Sequence, residues 1–340
     1  MVKLVDTKDL KSLPIWECQF ESGRWHHKKN NFLYYIKKMK IFDCTTYYKE
    51  DLMLEVRFNI LDKYVDKFVI SEAAYSHSGD RKKLNFDINK FSEFKKKIIY
   101  IRIDNEPESI IYTSNDNKEN SHIEEEANMR TNSIKRINHQ RDKLMEGINE
   151  ADDNDYILYS DNDEIPNLSN IDFQNIKNKI IIFKQKLYYY KFNLFFDRIS
   201  WFGTKACKKK NLKTFSWLRD IKSKKYAIYR IDNILSKTKY SNVKIVDDGG
   251  WHFSQIKTPK DIQIKLLNGE QHAEFKKTGK DLEYIKGLVE RKSIDYDHKA
   301  RSEDYKYSKE FKLKTVPVNT MPVFLKDNVE KYSEWFDLEK

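Results

Sequence analysis

Three carboxylates follow an apolar segment near the middle of the chain. Residues Tyr156–Ser160 are predicted to form a strand, and Asp161, Asp163 and Glu164 come directly after it, ahead of Pro166. In an extended backbone, residues two apart face the same side, so Asp161 and Asp163 would face one ion together while Glu164 faces elsewhere. Carboxylate oxygens suit Mg²⁺ or Mn²⁺, which keep positions open for substrate phosphates. The pattern predicts either a nucleotide-diphosphate site or an acidic turn that merely caps the next helix.

The elements that must position these carboxylates can be predicted from Lys40 onward, where short apolar runs alternate with amphipathic stretches. Strands are predicted at Lys40–Thr45, Val65–Ser71, Lys97–Ile103, Tyr156–Ser160, Ile180–Lys186, Lys225–Ile231 and Val243–Val246. Helices are predicted at Asp51–Lys63, Ile123–Asn149, Pro259–Asn268, Leu282–Lys292 and Asn328–Phe336. This rhythm predicts an α/β fold with a mixed, Rossmann-like sheet flanked by helices. Because such a sheet binds ligands at the carboxyl ends of its strands, chemistry is expected after Thr45, Ser71 and Ser160.

The composition is that of a folded protein of enzyme size. The 340 residues are 39% hydrophobic and 14% aromatic, which excludes a disordered chain. The excess of 64 Lys and Arg over 53 Asp and Glu gives a net charge of +11, which can attract phosphate, nucleic acid or anionic lipid. Cys18, Cys44 and Cys207 are widely spaced, so neither a disulfide framework nor a cysteine-based metal site is expected.

The N-terminal segment differs from the rest of the chain. Residues 1–38 lack an apolar period and are interpreted as an N-terminal extension, either an ordinary arm or a segment outside the genuine protein, which would then start at Met39. Residues 39–340 are predicted to form a single domain that ends in a helical segment. The most apolar region, Ile180–Phe196, is interrupted by lysines, and the N-terminus has charges where a signal peptide has its apolar core. We therefore expect a cytoplasmic protein without a transmembrane segment or signal peptide.

Further motifs occur in a fixed order from about Lys40 to Phe275. They are Glu50–Arg57, Val65–Glu72 with Ser76–Gly79, Arg136–Arg141, Ser160–Pro166, Trp201–Thr204 through Leu218 and Arg219, and Gly249–Ser254 followed by Lys265, His272 and Glu274. Together they resemble the motifs of glycosyltransferase family 17, whose animal members are β-1,4-mannosyl-glycoprotein 4-β-N-acetylglucosaminyltransferases. The chain departs from the family pattern at Ile137, where Glu is expected, and at Asp142, where Asn is usual. The membrane-spanning stem of the animal members is also missing, so the donor is better indicated than the acceptor.

The resemblance implies a metal-dependent enzyme with a GT-A fold that transfers N-acetylglucosamine from UDP-GlcNAc with inversion, as in protein N-linked glycosylation. Asp161 and Asp163 would hold Mn²⁺ or Mg²⁺, which stabilises the charge that develops on the leaving UDP. His252 would supply a third metal ligand or contact the diphosphate. The alternative for His252 is simple packing beside Trp251, since imidazole suits either role.

The resemblance also indicates residues for the base, the donor and the acceptor. Inversion needs a base that takes the proton of the acceptor hydroxyl, and Glu274 is preferred, with Asp248 next. An exposed turn or helix-end position is the alternative for both carboxylates. The uridine end of the donor is expected near Glu50, Glu72 and His77, although His77 could equally be a solvated loop residue.

Aromatic residues are candidates for binding a sugar acceptor. Trp251 and Tyr190 are predicted to contact it, within a wider aromatic group that includes Trp201. Core packing is the alternative for most of these rings, because aromatic side chains contribute large buried areas. The acceptor would be a glycan, free, lipid-linked or on a glycoprotein.

The charged side chains around these motifs have ordinary interpretations too. For Arg57, an ordinary surface ion pair with Asp62 or with neighbours of Glu55 is an equal alternative to a role at the site, and such a pair would contribute little stability. Arg136 and Arg141 are candidates to brace the acidic turn from an adjacent helix, and a buried arginine–carboxylate pair is predicted for at least one of them. The lysine clusters 208–210 and 222–225 form either a solvated basic face or a peripheral contact with an anionic membrane that carries the acceptor.

Two other functions compete with sugar transfer. The net charge of +11 and the acidic turn could belong to a metal-dependent nucleic-acid-binding protein or nuclease. Nucleic acid is disfavoured as a partner because the chain has no recognised module for it. An inactive, glycan-binding relative is the third hypothesis, against which the intact Asp161 and Asp163 argue.

Overall fold

The structure is a computed structural model that describes residues 38–112, 121–224, 226, 236–268, 275, 278–300, 305–307 and 309–338. By its internal contacts, Met39–Lys340 forms one compact unit. The predicted N-terminal extension lies outside the described residues, apart from Lys38. The predicted strand Lys225–Ile231 also lies outside them, apart from Tyr226.

Four parallel strands form one half of the main sheet. In chain order they are β1 (Ile41–Tyr47), β2 (Lys67–Ala73), β3 (Ile98–Ile103) and β4 (Tyr156–Tyr159). Their order in the sheet is β3-β2-β1-β4. At the centre, Cys44 of β1 pairs with Val69 of β2 on one side and with Tyr159 of β4 on the other. Strands β1, β2 and β4 are almost wholly buried, as expected where both faces of a parallel sheet are covered, whereas the edge strand β3 is mostly half-buried.

The other half of the sheet is mixed and largely antiparallel. Its strands are β5 (Glu164–Pro166), β6 (Ile180–Tyr189), β7 (Leu194–Lys208), β8 (Val243–Val246) and β9 (Gly250–Ser254). The order continues from β4 as β7-β6-β9-β5, with β8 also paired to β6. The short strands are β10 (Ser293–Ile294), β11 (Phe311–Lys312) and β12 (Lys314–Thr315). The predicted mixed sheet of a Rossmann-like α/β fold is confirmed.

Helices cover both faces of this sheet. The described α-helices are α1 (Asp51–Leu61), α2 (Ser121–Asp142), α3 (Phe215–Asp220), α4 (Pro259–Asn268), α5 (Leu282–Glu290) and α6 (Val323–Asp327). The faces of β4 show how the core divides: Tyr156 and Leu158 belong to the cluster under α1, whereas Ile157 and Tyr159 belong to the opposite cluster. Among the described helices, none is both long and apolar enough to cross a membrane.

The prediction of a helix at Asn328–Phe336 is wrong. This segment contains turns and a short 3₁₀ helix at Ser333–Trp335 instead. The backbone N–H of Phe192 donates to the carbonyl of Trp335 at 2.8 Å, and the N–H of Asp337 donates to the side chain of Asn193 at 2.8 Å. The end of this segment is thus tied to the connection between β6 and β7.

Candidate active site

A cavity of about 260 Å³ lies at the carboxyl ends of β1 and β4. Parallel strands place their following loops at one edge of the sheet, which is where this fold binds ligands. We call it the acidic-turn cavity. Its wall includes Glu50, His77, Arg141, Asp161, Asp163, Glu164, Trp201, His252 and Lys265.

The acidic turn comprises residues 161–164 and is not extended. The N–H of Glu164 donates to the carbonyl of Asp161 at 3.0 Å, which closes a turn ahead of β5. The premise that Asp161 and Asp163 face one side while Glu164 faces another is therefore wrong, because side chains alternate only in extended backbone. All three carboxylates line the same cavity.

Arg57 holds the backbone of this turn from below. Its guanidinium is fully buried and forms a two-pronged pair with Asp43, at 2.6 and 2.7 Å. It also donates to the hydroxyl of Ser160 at 2.7 Å and to the carbonyl of Glu164 at 2.9 Å. The interpretation of Arg57 as a surface ion-pair residue is wrong. Its burial was readable, since Leu54, Arg57, Phe58 and Leu61 follow the i, i+3, i+4, i+7 stripe of an amphipathic helix.

Asp161 is bound by two arginines. Its Oδ2 lies 3.0 Å from Arg219, and its Oδ1 lies 3.4 Å from Arg141 and accepts from the Tyr159 hydroxyl at 3.1 Å. Burial raises the pKa of Asp161, but Arg219 and Arg141 outweigh burial and hold that pKa well below its usual range. Both oxygens of this carboxylate are therefore already paired with cations.

Arg136, the other arginine expected to brace the turn, lies elsewhere. It pairs with Glu106 and donates to the carbonyl of His77 at 3.3 Å. It also packs against Gly79, where an added Cβ would meet the guanidinium at 2.6 Å. Arg219, which lies at the end of the Thr214-capped helix α3, takes the bracing role instead.

Asp163 faces a different set of groups. Its Oδ1 lies 3.6 Å from Nε2 of His252, and its Oδ2 lies 3.5 Å from Nζ of Lys265. Burial raises the pKa of Asp163, but Lys265 and His252 more than reverse this effect, so the pKa is far below its usual range. His252 is itself buried, and its Nδ1 has no hydrogen-bond partner within the described part of the chain.

Glu164, the third carboxylate of the turn, is held by Trp201 and Arg219. Its Oε1 accepts from the indole N–H of Trp201 at 2.6 Å and lies 3.1 Å from Arg219. Gly203 makes this approach possible, since an added Cβ there would lie 2.2 Å from the amide oxygen of Gln185 and 2.7 Å from the carboxyl carbon of Glu164. The glycine is therefore required by the packing around the carboxylate.

Glu50 and His77 also line the cavity. The carboxylate of Glu50 accepts from the Asn162 amide at 3.0 Å and lies 3.5 Å from Lys257. Burial raises the pKa of Glu50, but Lys257 and Lys265 lower it below its ordinary value. Burial and then Arg141 lower the pKa of His77 to about 4, so this imidazole is neutral at neutral pH.

The remaining predicted donor-site residue, Glu72, is used inside the fold. Its buried carboxylate pairs with Lys82 at 2.6 Å and accepts from the Tyr100 hydroxyl at 3.0 Å. It also accepts the backbone N–H groups of Asn85 and Phe86 at 2.8 and 3.0 Å. The structure thus places Glu72 as the anchor of the loop after β2, outside the wall of the acidic-turn cavity.

The predicted base and acceptor residues are scattered. Glu274 lies outside the described residues. The side chain of Asp248 is 68% exposed and pairs with Lys186 at 2.8 Å, outside the cavity wall. Trp251 alternates with His252 along β9 and packs against the main core, whereas Tyr190 lines a second cavity.

The predicted three-ligand metal site is not assembled as expected. Among the described residues, no group of three or more His, Cys, Asp or Glu side chains is placed to hold a metal ion. Asp163 and His252 adjoin, whereas the oxygens of Asp161 face Arg141 and Arg219. The two aspartates therefore line one cavity, but their carboxylates do not face a common metal position.

The fold and the cavity define a Rossmann-like α/β protein with a charged cleft at the carboxyl ends of its parallel strands. The family model described as glycosyltransferase family 17 matches residues 17–333. The chain therefore belongs to glycosyltransferase family 17 and is a glycosyltransferase, which requires a sugar donor and a glycan acceptor.

No curated protein matches the chain. Among solved structures, the chain is similar to the crystal structure of HddC from Yersinia pseudotuberculosis, with 9% sequence identity and a TM-score of 0.31. That match covers 62% of this chain and 92% of the other.

Proposed function

We propose that this glycosyltransferase moves N-acetylglucosamine from UDP-GlcNAc to a glycan with inversion, and that the donor diphosphate binds in the acidic-turn cavity. The observation that carries the proposal is the ring of opposed charges at the end of β4. Asp161, Asp163 and Glu164 form ion pairs with Arg141, Arg219 and Lys265 at the lining of this cavity. The identity of the donor sugar rests on the family resemblance.

The charges around the cavity are balanced, which favours a ligand whose net charge is close to zero. Four carboxylates, those of Glu50, Asp161, Asp163 and Glu164, are paired with four cations, those of Arg141, Arg219, Lys257 and Lys265. A diphosphate that arrives with a divalent cation is close to neutral as a unit. Such a ligand can exchange partners with the existing ion pairs without leaving an uncompensated buried charge.

The donor set fits Mn²⁺ or Mg²⁺ at Asp163 and His252. A carboxylate oxygen and an imidazole nitrogen 3.6 Å apart could turn to one ion, which would take its remaining ligands from phosphate and water. When bound, such an ion acts as a Lewis acid toward the leaving diphosphate. Asp161 is excluded from this set because both of its oxygens are paired with other groups.

The chain's own cations complete the charge stabilisation. Asp161 orients Arg141 and Arg219 at the cavity, where guanidinium N–H groups can bind phosphate oxygens in a fixed geometry. Lys265 can move from Asp163 to the departing phosphate, since its side chain is 39% exposed. The neutral imidazole of His77 and the anionic Glu50 are suited to hydrogen bonds with the uridine end.

The base in this proposal is Glu274. Inversion is a single displacement in which a carboxylate removes the acceptor proton on the face opposite the leaving UDP. Asp248 is poorly suited to this role, because its side chain is exposed and paired with Lys186.

The proposed acceptor stays a glycan, on a lipid or a glycoprotein. Two lysines of the cluster 208–210, which could otherwise contact an anionic membrane, have partners within the protein. Lys209 donates to the carbonyl of Ala151, and Lys210 donates to the side chain of Asn154 at 2.9 Å, so both ammonium groups already have local partners.

Thermal unfolding tests donor and metal together. UDP-GlcNAc with Mn²⁺ is expected to raise the melting temperature of the wild-type chain more than either does alone. Asp163→Asn is expected to lose this joint effect, whereas the exposed Asp247→Asn keeps it. GDP-mannose with Mn²⁺ serves as the nucleotide control. Equal stabilisation by UDP-GlcNAc and GDP-mannose, or none by either, would overturn the proposed donor.

A further inference from the structure

A second cavity adjoins the acidic-turn cavity. Its volume is about 280 Å³, and two residues, Trp201 and His252, line both cavities. Their rings are in contact, with centroids 4.5 Å apart, so together they form a shared wall. We call the second space the tyrosine cavity. Its wall includes Tyr189, Tyr190, Tyr284, Tyr296 and Tyr307.

Fixed polar groups lie among these rings. Lys280 and Asp295 form an ion pair whose side chains are only 12% and 14% exposed. The ammonium of Lys280 lies 4.4 Å from the ring centroid of Tyr307 and 5.0 Å from that of Tyr284. A ring-lined cavity with a few fixed polar groups is typical of a site for a small ligand. Because the two charges cancel, the ligand it suits is uncharged.

The backbone around this cavity is strained at two points. Tyr190 and Gln255 have φ values of 62° and 55°, in the left-handed region of the backbone that residues other than glycine rarely adopt. The N–H of Tyr190 donates to the carbonyl of Ser254 at 3.1 Å, which ties the two strained positions together at the ends of β6 and β9. Strain of this kind persists where the surrounding fold enforces it, and it concentrates at ligand sites.

We propose that the tyrosine cavity binds the neutral acceptor sugar. The inference rests on the proposed function, in which the diphosphate lies at Asp163 and the transferred sugar extends toward Trp201 and His252. Because Trp201 and His252 border both cavities, an acceptor in the tyrosine cavity can meet the transferred sugar at the edge that the cavities share, on the side away from the leaving group. Apolar C–H faces of a sugar can pack on Tyr284, while its hydroxyls bond to Asp295 and Lys280.

The transfer step balances in this arrangement. The acceptor hydroxyl oxygen forms a bond to the anomeric carbon as the bond from that carbon to the phosphate oxygen breaks. UDP leaves with the electron pair of the broken bond, and the hydroxyl proton passes to the carboxylate base. No oxidant or further reactant is needed.

Saturation-transfer NMR can test this site with chitobiose, mannobiose and lactose as probes. We expect at least one disaccharide to bind the wild-type chain in the presence of UDP and Mn²⁺. Tyr284→Ala removes one aromatic ring from the cavity wall, and Asp295→Asn removes a negative charge while it keeps the size and shape of the side chain. Each substitution is expected to lower the affinity for that disaccharide roughly tenfold. Tyr112→Ala, at an 80% exposed tyrosine outside both cavity walls, is the matched control.

A parallel titration with UDP separates this inference from the proposed function. UDP binding by the Tyr284 and Asp295 variants shows that they are folded and that the acidic-turn cavity is intact. Failure of the wild-type chain to bind UDP would contradict the proposed function. If UDP binds but no disaccharide does, or if a disaccharide binds Tyr284→Ala as tightly as the wild-type chain, the acceptor site is overturned.

Discussion

The two ends of the acidic turn carry the same side chain and have different surroundings. Asp161 lies against Arg141 and Arg219, which bind both of its oxygens. Asp163 lies against His252 and Lys265 at longer distances of 3.6 and 3.5 Å. In the proposed function, Asp161 positions the two arginines that hold it together with the Tyr159 hydroxyl, whereas Asp163, whose contacts are His252 and Lys265, takes the ligand.

This contrast depends on a shared support. Arg57 contacts the carbonyls of Asp161 and Glu164 from inside the protein, at 3.3 and 2.9 Å. Because one guanidinium holds both ends of the turn, a substitution of Arg57 should disturb Asp161 and Asp163 together. Substitutions at the two aspartates should instead have different effects on metal binding.

The largest expected effect is on stability, from Arg57→Met. The substitution leaves Asp43 buried without its partner, which should lower the free energy of unfolding by about 3–5 kcal/mol. Urea denaturation measures this change. Arg102→Met is the control, since Arg102 and its partner Asp104 are mostly exposed and should contribute below about 1 kcal/mol. Equal effects of the two variants would show that Arg57 is not the common support.

The next effect is on catalysis, from Asp163→Asn. The variant should keep its fold and lose roughly 10²–10³-fold in transfer rate, the range seen when one charge-stabilising group is removed from an active site. It should also lose Mn²⁺-dependent UDP binding, which calorimetry measures. Asp247→Asn, whose side chain is 80% exposed, should change neither quantity. A variant at Asp163 with full activity would break the contrast outright.

Asp161→Asn should have a smaller effect of a different kind. Arg141 and Arg219 lose a charged partner, so the rate should fall roughly tenfold through less accurate positioning of the guanidinium groups. The affinity for Mn²⁺ in the presence of UDP should stay close to that of the wild-type chain. If Asp161→Asn weakens Mn²⁺ binding as strongly as Asp163→Asn does, the two aspartates form one metal clamp and the contrast fails.

The sequence predicted the parallel half of the sheet well and the other half poorly. Strands β1, β2 and β4 are almost wholly buried and β3 is mostly half-buried, and each contains a local apolar segment. The 15-residue strand β7 was missed because exposed positions such as Asp197 and Arg198 interrupt its apolar pattern. Edge and outward-facing positions are polar for solvation, and this weakens the signal that local periodicity provides.

The candidate site was predictable in its location but not in its pairing. The acidic turn could be found because a strand and three carboxylates are adjacent in sequence. The contact of Arg219 with Asp161 spans 58 positions and that of Lys265 with Asp163 spans 102. Which cation meets which carboxylate is decided by the packing of β7, α3 and α4, and no local pattern encodes it.

The smallest expected effect concerns His77, on the positively charged side of the turn. Burial, followed by Arg141, lowers the pKa of His77 from 6.5 to about 4 in the folded chain. Between these two pH values the unfolded chain binds a proton that the folded chain does not, so stability should fall as the pH drops from about 6.5 toward 4. His77→Gln should make the free energy of unfolding less dependent on pH across this window, as urea denaturation at a series of pH values would measure. His298, whose pKa is also lowered to about 4 but which lines the tyrosine cavity, offers the comparison variant His298→Gln. If only the His298 variant flattens the profile, burial and Arg141 do not hold His77 neutral in the folded chain.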